Sequence, residues 1–190
     1  MPLNHSSKYA QLTDEQYLAI GKATVEWSNV EFLLGVLLSR LLATPEFLAR
    51  TYTDIMTVAK IQEAITEAIS IQRHRYCCKL VSKDVLTDIE NINGRITAVR
   101  GKRNKLAHFC LCRVSDDKIF GTGFAGGIPD TKKHRRDNVT FELSELVKLY
   151  REAYDIVGLL GAIIENLPRI EEEAILTLHS TGAPRKQGAR

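Results

Sequence analysis

The sequence predicts an all-α protein in which long helices form an antiparallel bundle, with a small β-hairpin and loop insertion around residues 109–140. Two observations predict this fold. Apolar residues recur every three or four positions over most of the chain, and the one segment with strand-like features is short. With 190 residues, 44% of them hydrophobic and 26% charged, we expect one globular domain over residues 13–180. Residues 1–12 are expected to form an N-terminal arm and residues 181–190 a flexible basic tail.

The first helix is predicted over residues 13–43. Thr13 and Gln16 have the spacing of a capping box, in which each side chain pairs with a backbone N–H at the helix start. Its apolar stripe comprises Tyr17, Ile20, Thr24, Trp27, Phe32, Leu34, Leu38, Leu41 and Leu42.

Two further helical regions follow. Thr44-Pro45-Glu46 is typical of a helix start, and residues 45–71 form either one helix or two. Residues 83–107 predict a long helix with an apolar face. Gly94 and Gly101 lower its helical propensity, so we expect its end to loosen.

The helical spacing of apolar residues ends after His108. Two short apolar runs flank the polar turn Ser115-Asp116-Asp117 and predict a hairpin, while the glycine-rich residues 121–138 predict an exposed loop. A last long helix is predicted over residues 143–167. Pro168 ends it, and a short helix over residues 169–179 can follow.

Several classes of protein are disfavoured by composition and motifs. No run of about 20 apolar residues could span a bilayer, and the N-terminus lacks the features of a signal peptide, so we expect no membrane association and a cytoplasmic location. The four cysteines occur as Cys77-Cys78 and Cys110-x-Cys112, which is not the spacing of a structural zinc site. We therefore expect buried, reduced thiols, no metal and no cofactor. Glycine-rich phosphate loops and the common hydrolase and zinc-protease motifs are absent from the sequence.

One segment combines basic, amide and imidazole groups: Arg103-Asn104-Lys105-Leu106-Ala107-His108. It resembles the Arg-x4-His motif of HEPN domains, in the form with Asn after the Arg and Ala before the His. Trp27 and Glu31 in the first helix resemble a pair in bacterial members. The resemblance covers roughly residues 13–167, and outside the motif it is generic.

The resemblance implies a metal-independent ribonuclease site made of Arg103 and His108, with Asn104 as a supporting polar residue. It implies RNA as substrate and a homodimer whose site is composite. Many members are toxins or defence effectors, so a protein antitoxin is a possible partner. The basic residues Arg100, Lys102 and Lys105 are candidate phosphate contacts, because clustered cations attract a polyanion.

The chemistry suits these side chains. RNA carries its own nucleophile, the 2′-hydroxyl, so the protein has to move a proton and stabilise charge on the phosphate. An imidazole such as His108 exchanges protons near neutral pH. A guanidinium such as Arg103 stays charged and matches phosphate oxygens with a planar fork of donors.

Helical geometry constrains the arrangement. Five residues turn a straight helix so that Arg103 and His108 lie about 140° apart, whereas Arg100, Asn104 and His108 share a face. Either the helix ends or distorts before His108, or the pair depends on a second chain. Glu31 is expected to pair with Arg103 or Arg100 and orient the site, or to lie at an exposed edge of the apolar stripe.

Two other functions remain open. The chain could be a non-catalytic HEPN-like module that binds RNA, a nucleotide or a protein. It could also be a purely structural, dimerising bundle in which Arg103 favours the helix dipole and His108 caps the helix end.

Overall fold

A computed structural model describes residues 7–124, 136–173 and 177 of the chain. Over that part, the protein comprises five helices and one antiparallel sheet of three strands, which confirms a mainly helical fold. In chain order the elements are α1 Asp14–Leu41, α2 Glu46–Thr53, α3 Val58–His74, α4 Lys83–His108, β1 Cys110–Ser115, β2 Lys118–Phe124, β3 Arg136–Glu142 and α5 Leu143–Glu165. No single helix in the described ranges is long and apolar enough to cross a membrane. Only α1 and α2 together meet that criterion, and the chain bends by 115° between them.

The start of α1 follows the predicted capping box. The Thr13 N–H donates to Gln16 Oε1 at 3.0 Å, and the Gln16 N–H donates to Thr13 Oγ1 at 3.2 Å. The Gln16 amide also donates to the carbonyls of Ser115 and Asp116, both at 2.8 Å. Because its side chain is fully buried, Gln16 fixes the β1–β2 turn against the start of α1.

Residues 45–71 form parts of two helices, which resolves the alternative that the sequence left open. α2 ends at Thr53 and α3 begins at Val58. Thr57 caps α3, because its hydroxyl accepts a hydrogen bond from the Lys60 N–H at 3.4 Å. Such a cap satisfies one of the N–H groups that a helix start leaves unpaired.

The sheet is larger than the predicted hairpin. β1 pairs with β2 as expected, but β2 extends to Phe124 and pairs along its length with β3, so the prediction of a loop over residues 121–138 was wrong at both ends. The glycines of β2 explain the error, since glycine normally weakens a strand. Residues 125–135, with most of the basic run Lys132 to Arg136, lie outside the described part. Of the predicted short helix over residues 169–179, residues 174–176, 178 and 179 also lie outside it.

The chain divides into two compact units. The first unit comprises residues 1–33 and 88–162, and the second comprises residues 34–87 and 163–190. That residues 13–180 form one domain stays a prediction. The core of the first unit includes Trp27, Val30, Ile96, Ile119, Leu146 and Ile156, and that of the second includes Leu34, Leu38, Ile65, Ile69 and Leu86.

The apolar stripe of α1 is narrower than predicted. Trp27, Leu34, Leu38 and Leu41 are buried, whereas Tyr17, Phe32 and Leu42 are exposed. The sequence misassigned these three because α1 is apolar on part of its outer surface as well as on its core side.

Ala43 occupies a backbone conformation that favours glycine. Its φ is 50°, and the bonds from Thr44 N–H to the Ser39 carbonyl and from Ala43 N–H to the Arg40 carbonyl form a Schellman cap after α1. We expect Ala43→Gly to raise the free energy of unfolding by about 0.5–1 kcal/mol, because the Cβ strain is removed. Urea denaturation would measure this change. The control Ala98→Gly, in an exposed helical position of α4, should instead lower the free energy of unfolding by about 1 kcal/mol.

Candidate functional site at the end of helix α4

Helix α4 stays regular through the whole candidate motif. It ends at His108, and the Phe109 N–H donates to the Lys105 carbonyl at 3.0 Å, the pattern of an unbroken α-helix. The prediction that the end of this helix loosens near the basic segment was therefore wrong. Since the helix does not end before His108, Arg103 and His108 project about 140° apart.

Arg103 faces α1, where it meets Trp27 and Glu31. Its guanidinium carbon lies 5.6 Å from the centre of the Trp27 ring, within range of a cation–π contact. Its Nη2 lies 3.7 Å from Glu31 Oε1. The Trp27 indole N–H donates to the same carboxylate oxygen at 2.5 Å. Trp27, Glu31 and Arg103 therefore form a connected polar group at the edge of a buried ring.

The Glu31 carboxylate thus pairs with Arg103, one of the two partners that the sequence proposed. The pair is loose, because 3.7 Å exceeds the usual hydrogen-bond distance of about 2.7–3.2 Å. The Arg103 side chain is 23% exposed and that of Glu31 is 37% exposed. A partly exposed guanidinium in a loose pair keeps N–H donors for an incoming anion, while Trp27 and Glu31 fix its direction.

His108, Asn104 and Arg100 form a row along another face of α4. His108 and Asn104 are exposed, and Arg100 is half-buried. The Asn104 Oδ1 accepts a long hydrogen bond from Arg103 Nη1 at 3.5 Å, which links this row to the Arg103 group. Asn104 therefore connects Arg103 to the face of α4 that also carries His108.

The two lysines predicted to contact phosphate point elsewhere. Lys102 Nζ lies 3.8 Å from Glu145 of α5, and Lys105 Nζ lies 3.1 Å from Asp137 of β3. The predicted phosphate-binding residues are thus not gathered on one surface, and carboxylates partly neutralise both lysines. Local sequence patterns do not predict the two acidic partners, which lie more than thirty positions away.

Phe109 fixes the end of α4 against the sheet. A Cβ added at Gly123 would come within 2.8 Å of the Phe109 ring, so only glycine leaves room for it. Lys105 Nζ lies 5.7 Å from the centre of the same ring. His108 therefore lies next to a residue that packs against the sheet, although its own side chain is exposed.

A groove of about 670 Å³ separates α4 from α5 on the Lys102 side. Its walls carry both signs of charge, and the Arg95 Nε donates to Glu152 at 2.8 Å across it. This hydrogen bond raises the pKa of Arg95, which therefore stays charged. Because its cations alternate with carboxylates, this groove is a poorer path for a polyanion than the Arg103–His108 end.

The cysteines do not form a metal site in the described ranges, where no group of three or more potential ligands is arranged to hold a metal ion. All four are free thiols. Cys77 and Cys110 are exposed and the other two are half-buried, so their prediction as buried thiols was wrong.

Comparison with protein-family models, with curated proteins and with solved structures finds no match.

Proposed function

We propose that this protein is a metal-independent, HEPN-like endoribonuclease that acts as a dimer. The observation that carries the proposal is the state of Arg103: a guanidinium held by Trp27 and Glu31, yet partly exposed, on the same helix end as an exposed imidazole. A phosphate-binding arginine needs accessible N–H groups, and the contact with the Trp27 ring distinguishes Arg103 from the other paired arginines that the structure describes.

The proposed reaction is transesterification within RNA. The 2′-oxygen attacks the adjacent phosphorus and gives its proton to a base, and the bond from phosphorus to the 5′-oxygen breaks. A proton is then delivered to that oxygen, which leaves a 2′,3′-cyclic phosphate and a free 5′-hydroxyl. His108 exchanges these protons, and Arg103 stabilises the negative charge on the phosphate. Asn104 orients Arg103 or the phosphate.

A second chain completes the site in this proposal. In one chain the two groups lie on different faces of an unbroken helix, so a single phosphodiester is better reached by Arg103 of one chain and His108 of another. Roles as a toxin or defence effector, with a protein antitoxin as partner, follow from the resemblance alone.

The test is RNA cleavage by the purified full-length protein in EDTA. We expect cleavage with 2′,3′-cyclic phosphate ends, and rates at least about 100-fold lower for Arg103→Ala and for His108→Ala. Arg50→Ala is the matched control and should keep the wild-type rate, since Arg50 on α2 is another arginine with an ion pair, to Asp54, and has no proposed role. Cleavage that needs a metal, or that persists in both variants, would refute the proposal.

The second candidate is a non-catalytic role, which the 140° divergence favours. The Glu31–Arg103 pair would then only stabilise the α1–α4 contact. In that case Arg103→Ala lowers stability without changing any RNA affinity. An RNA-binding module, by contrast, binds RNA in a salt-dependent manner but does not cleave it.

A further inference from the structure

Two adjacent cysteines, Cys77 and Cys78, form the centre of a tight turn between α3 and α4. The Lys79 N–H donates to the Tyr76 carbonyl at 3.0 Å, which closes the turn around them. The φ of Cys77 is 50° and that of Cys78 is 58°, so both residues lie in the left-handed region. This combination is that of a type I′ turn, whose central residues are usually glycine, asparagine or aspartate.

Cysteine is an unfavourable residue for this backbone. Its Cβ crowds the following carbonyl oxygen in the left-handed region, whereas glycine has no Cβ, and asparagine and aspartate gain local hydrogen bonds. Packing does not explain the two cysteines, because Cys77 is exposed and Cys78 is only half-buried. The property that distinguishes them from the usual turn residues is the thiol, and the turn carries two of them at consecutive positions.

The turn is fixed to the end of α3. The Cys78 N–H donates to the Gln72 carbonyl at 3.0 Å. The Gln72 side chain is buried, and its amide donates to the Leu41 carbonyl at 3.0 Å. Because strained residues persist only where the surrounding structure holds them, these contacts keep the two thiols together at one exposed place.

We propose that Cys77 and Cys78 are a modification site for small anionic disulfides of the glutathione type, which oxidise the pair to an internal disulfide. One cysteine thiolate attacks the reagent, forms a mixed disulfide and releases the first small thiol. The neighbouring thiolate then attacks the protein-bound sulfur and releases the second. Two cysteines are oxidised, one small disulfide is reduced to two thiols, and these thiols take up the two cysteine protons.

The charge around the turn favours an anionic reagent. Arg75 and Lys79 flank the two cysteines and are both exposed. The nearest acidic residues along the sequence are Glu67 and Asp84, well outside the turn. Since clustered cations raise the local concentration of anions, the carboxylates of a glutathione disulfide are attracted to this end of α3.

Ring closure changes the turn and makes the modification reversible. Consecutive Cα atoms are about 3.8 Å apart across a trans peptide bond, which is shorter than the usual separation of about 4.4–6.8 Å in a disulfide. The ring is therefore strained, and strained, exposed disulfides are the ones that small thiols reduce again. Closure moves both cysteines out of the left-handed region, so it relieves the strain of the reduced turn.

Tryptic digestion of the oxidised full-length protein tests the proposal. Trypsin cuts after lysine and arginine, so peptide 76–79 contains both cysteines of the turn and peptide 106–113 contains both cysteines of β1. After incubation with oxidised glutathione and blocking of free thiols, we expect mass spectrometry to show most of peptide 76–79 as an internal disulfide, two hydrogens lighter than the dithiol. Excess reduced glutathione should restore the dithiol.

Peptide 106–113 is the matched control within the same sample. Cys110 and Cys112 also comprise one exposed and one half-buried thiol, but pairing with β2 holds them in an extended strand. We expect at least about tenfold less ring closure there than in peptide 76–79. Equal closure in the two peptides would show that the turn gives no advantage and would overturn the proposal.

Single substitutions test the second step. Cys77→Ser and Cys78→Ser should each stop at the mixed disulfide, with one glutathione attached to the thiol that is left. A wild-type peptide 76–79 that stays a dithiol, keeps an attached glutathione, or forms its disulfide between two chains would refute the site. These readouts do not depend on the proposed ribonuclease activity, since each of them is the mass of a peptide.

Discussion

Mixing the inactive variants Arg103→Ala and His108→Ala is expected to restore about a quarter of the wild-type rate of RNA cleavage. If Arg103 of one chain acts with His108 of the other, a mixed dimer has one site with both residues intact and one site with neither. Random pairing makes about half of the dimers mixed, and one of their two sites is active. Because each variant alone is expected to cleave at least about 100-fold more slowly than the wild type, the rate of the mixture would be many times that of either variant.

The measurement requires dimers in which the two variants are paired. Co-expression with two different affinity tags yields the mixed dimer alone, whose rate should be about half that of the wild type. The control is a mixed dimer of the wild type with the double variant, which is inactive in this arrangement because each of its sites lacks one of the two groups.

The two mixed dimers distinguish the arrangements, because a site within one chain reverses both results. The wild-type chain would then keep its own site and give half the activity, while the complementary variants would give none. That reversed outcome would show that Arg103 and His108 of one chain reach the same phosphate despite the angle between them.

The helices with the strongest periodicity were predicted well. α4 and α5 begin and end within two residues of the prediction. Their buried residues recur every three or four positions, as predicted. β3 was missed because pairing with β2 depends on residues distant in sequence, and the intervening segment is rich in glycine. Strand formation there is decided by tertiary contacts, which a local pattern does not contain.

The angle between the site residues around α4 could be predicted from the sequence, whereas most of their side-chain partners could not. Helical spacing alone separates Arg103 from the row of Arg100, Asn104 and His108. The acidic partner Glu31 stood out as a carboxylate on an apolar stripe, but only the packing of α1 against α4 selects Arg103 for it. The role of Trp27 as a surface beneath the guanidinium was missed, since burial and a cation contact look alike in sequence.

The second large effect is expected at Gln16, whose buried amide donates to two carbonyls. Gln16→Glu replaces the donor with an oxygen that faces both of them. It leaves two carbonyls without a partner and buries a charge. We expect the free energy of unfolding to fall by about 3 kcal/mol or more at neutral pH. Urea denaturation would measure the loss, and Gln11→Glu, the same change on an exposed side chain, should have little effect.

The pH dependence of the Gln16→Glu variant gives the sharper test. Burial and the two carbonyl oxygens raise the pKa of the introduced carboxyl group in the folded state. A protonated carboxyl can donate one of the lost hydrogen bonds, so the deficit is smallest below the ordinary carboxyl pKa of about 4.3 and grows as the pH rises through the folded-state pKa. A deficit that does not change with pH would mean that the side chain has left the turn. The β1–β2 turn would then be held against α1 by other contacts, such as the bond from the Arg113 N–H to the Ala10 carbonyl.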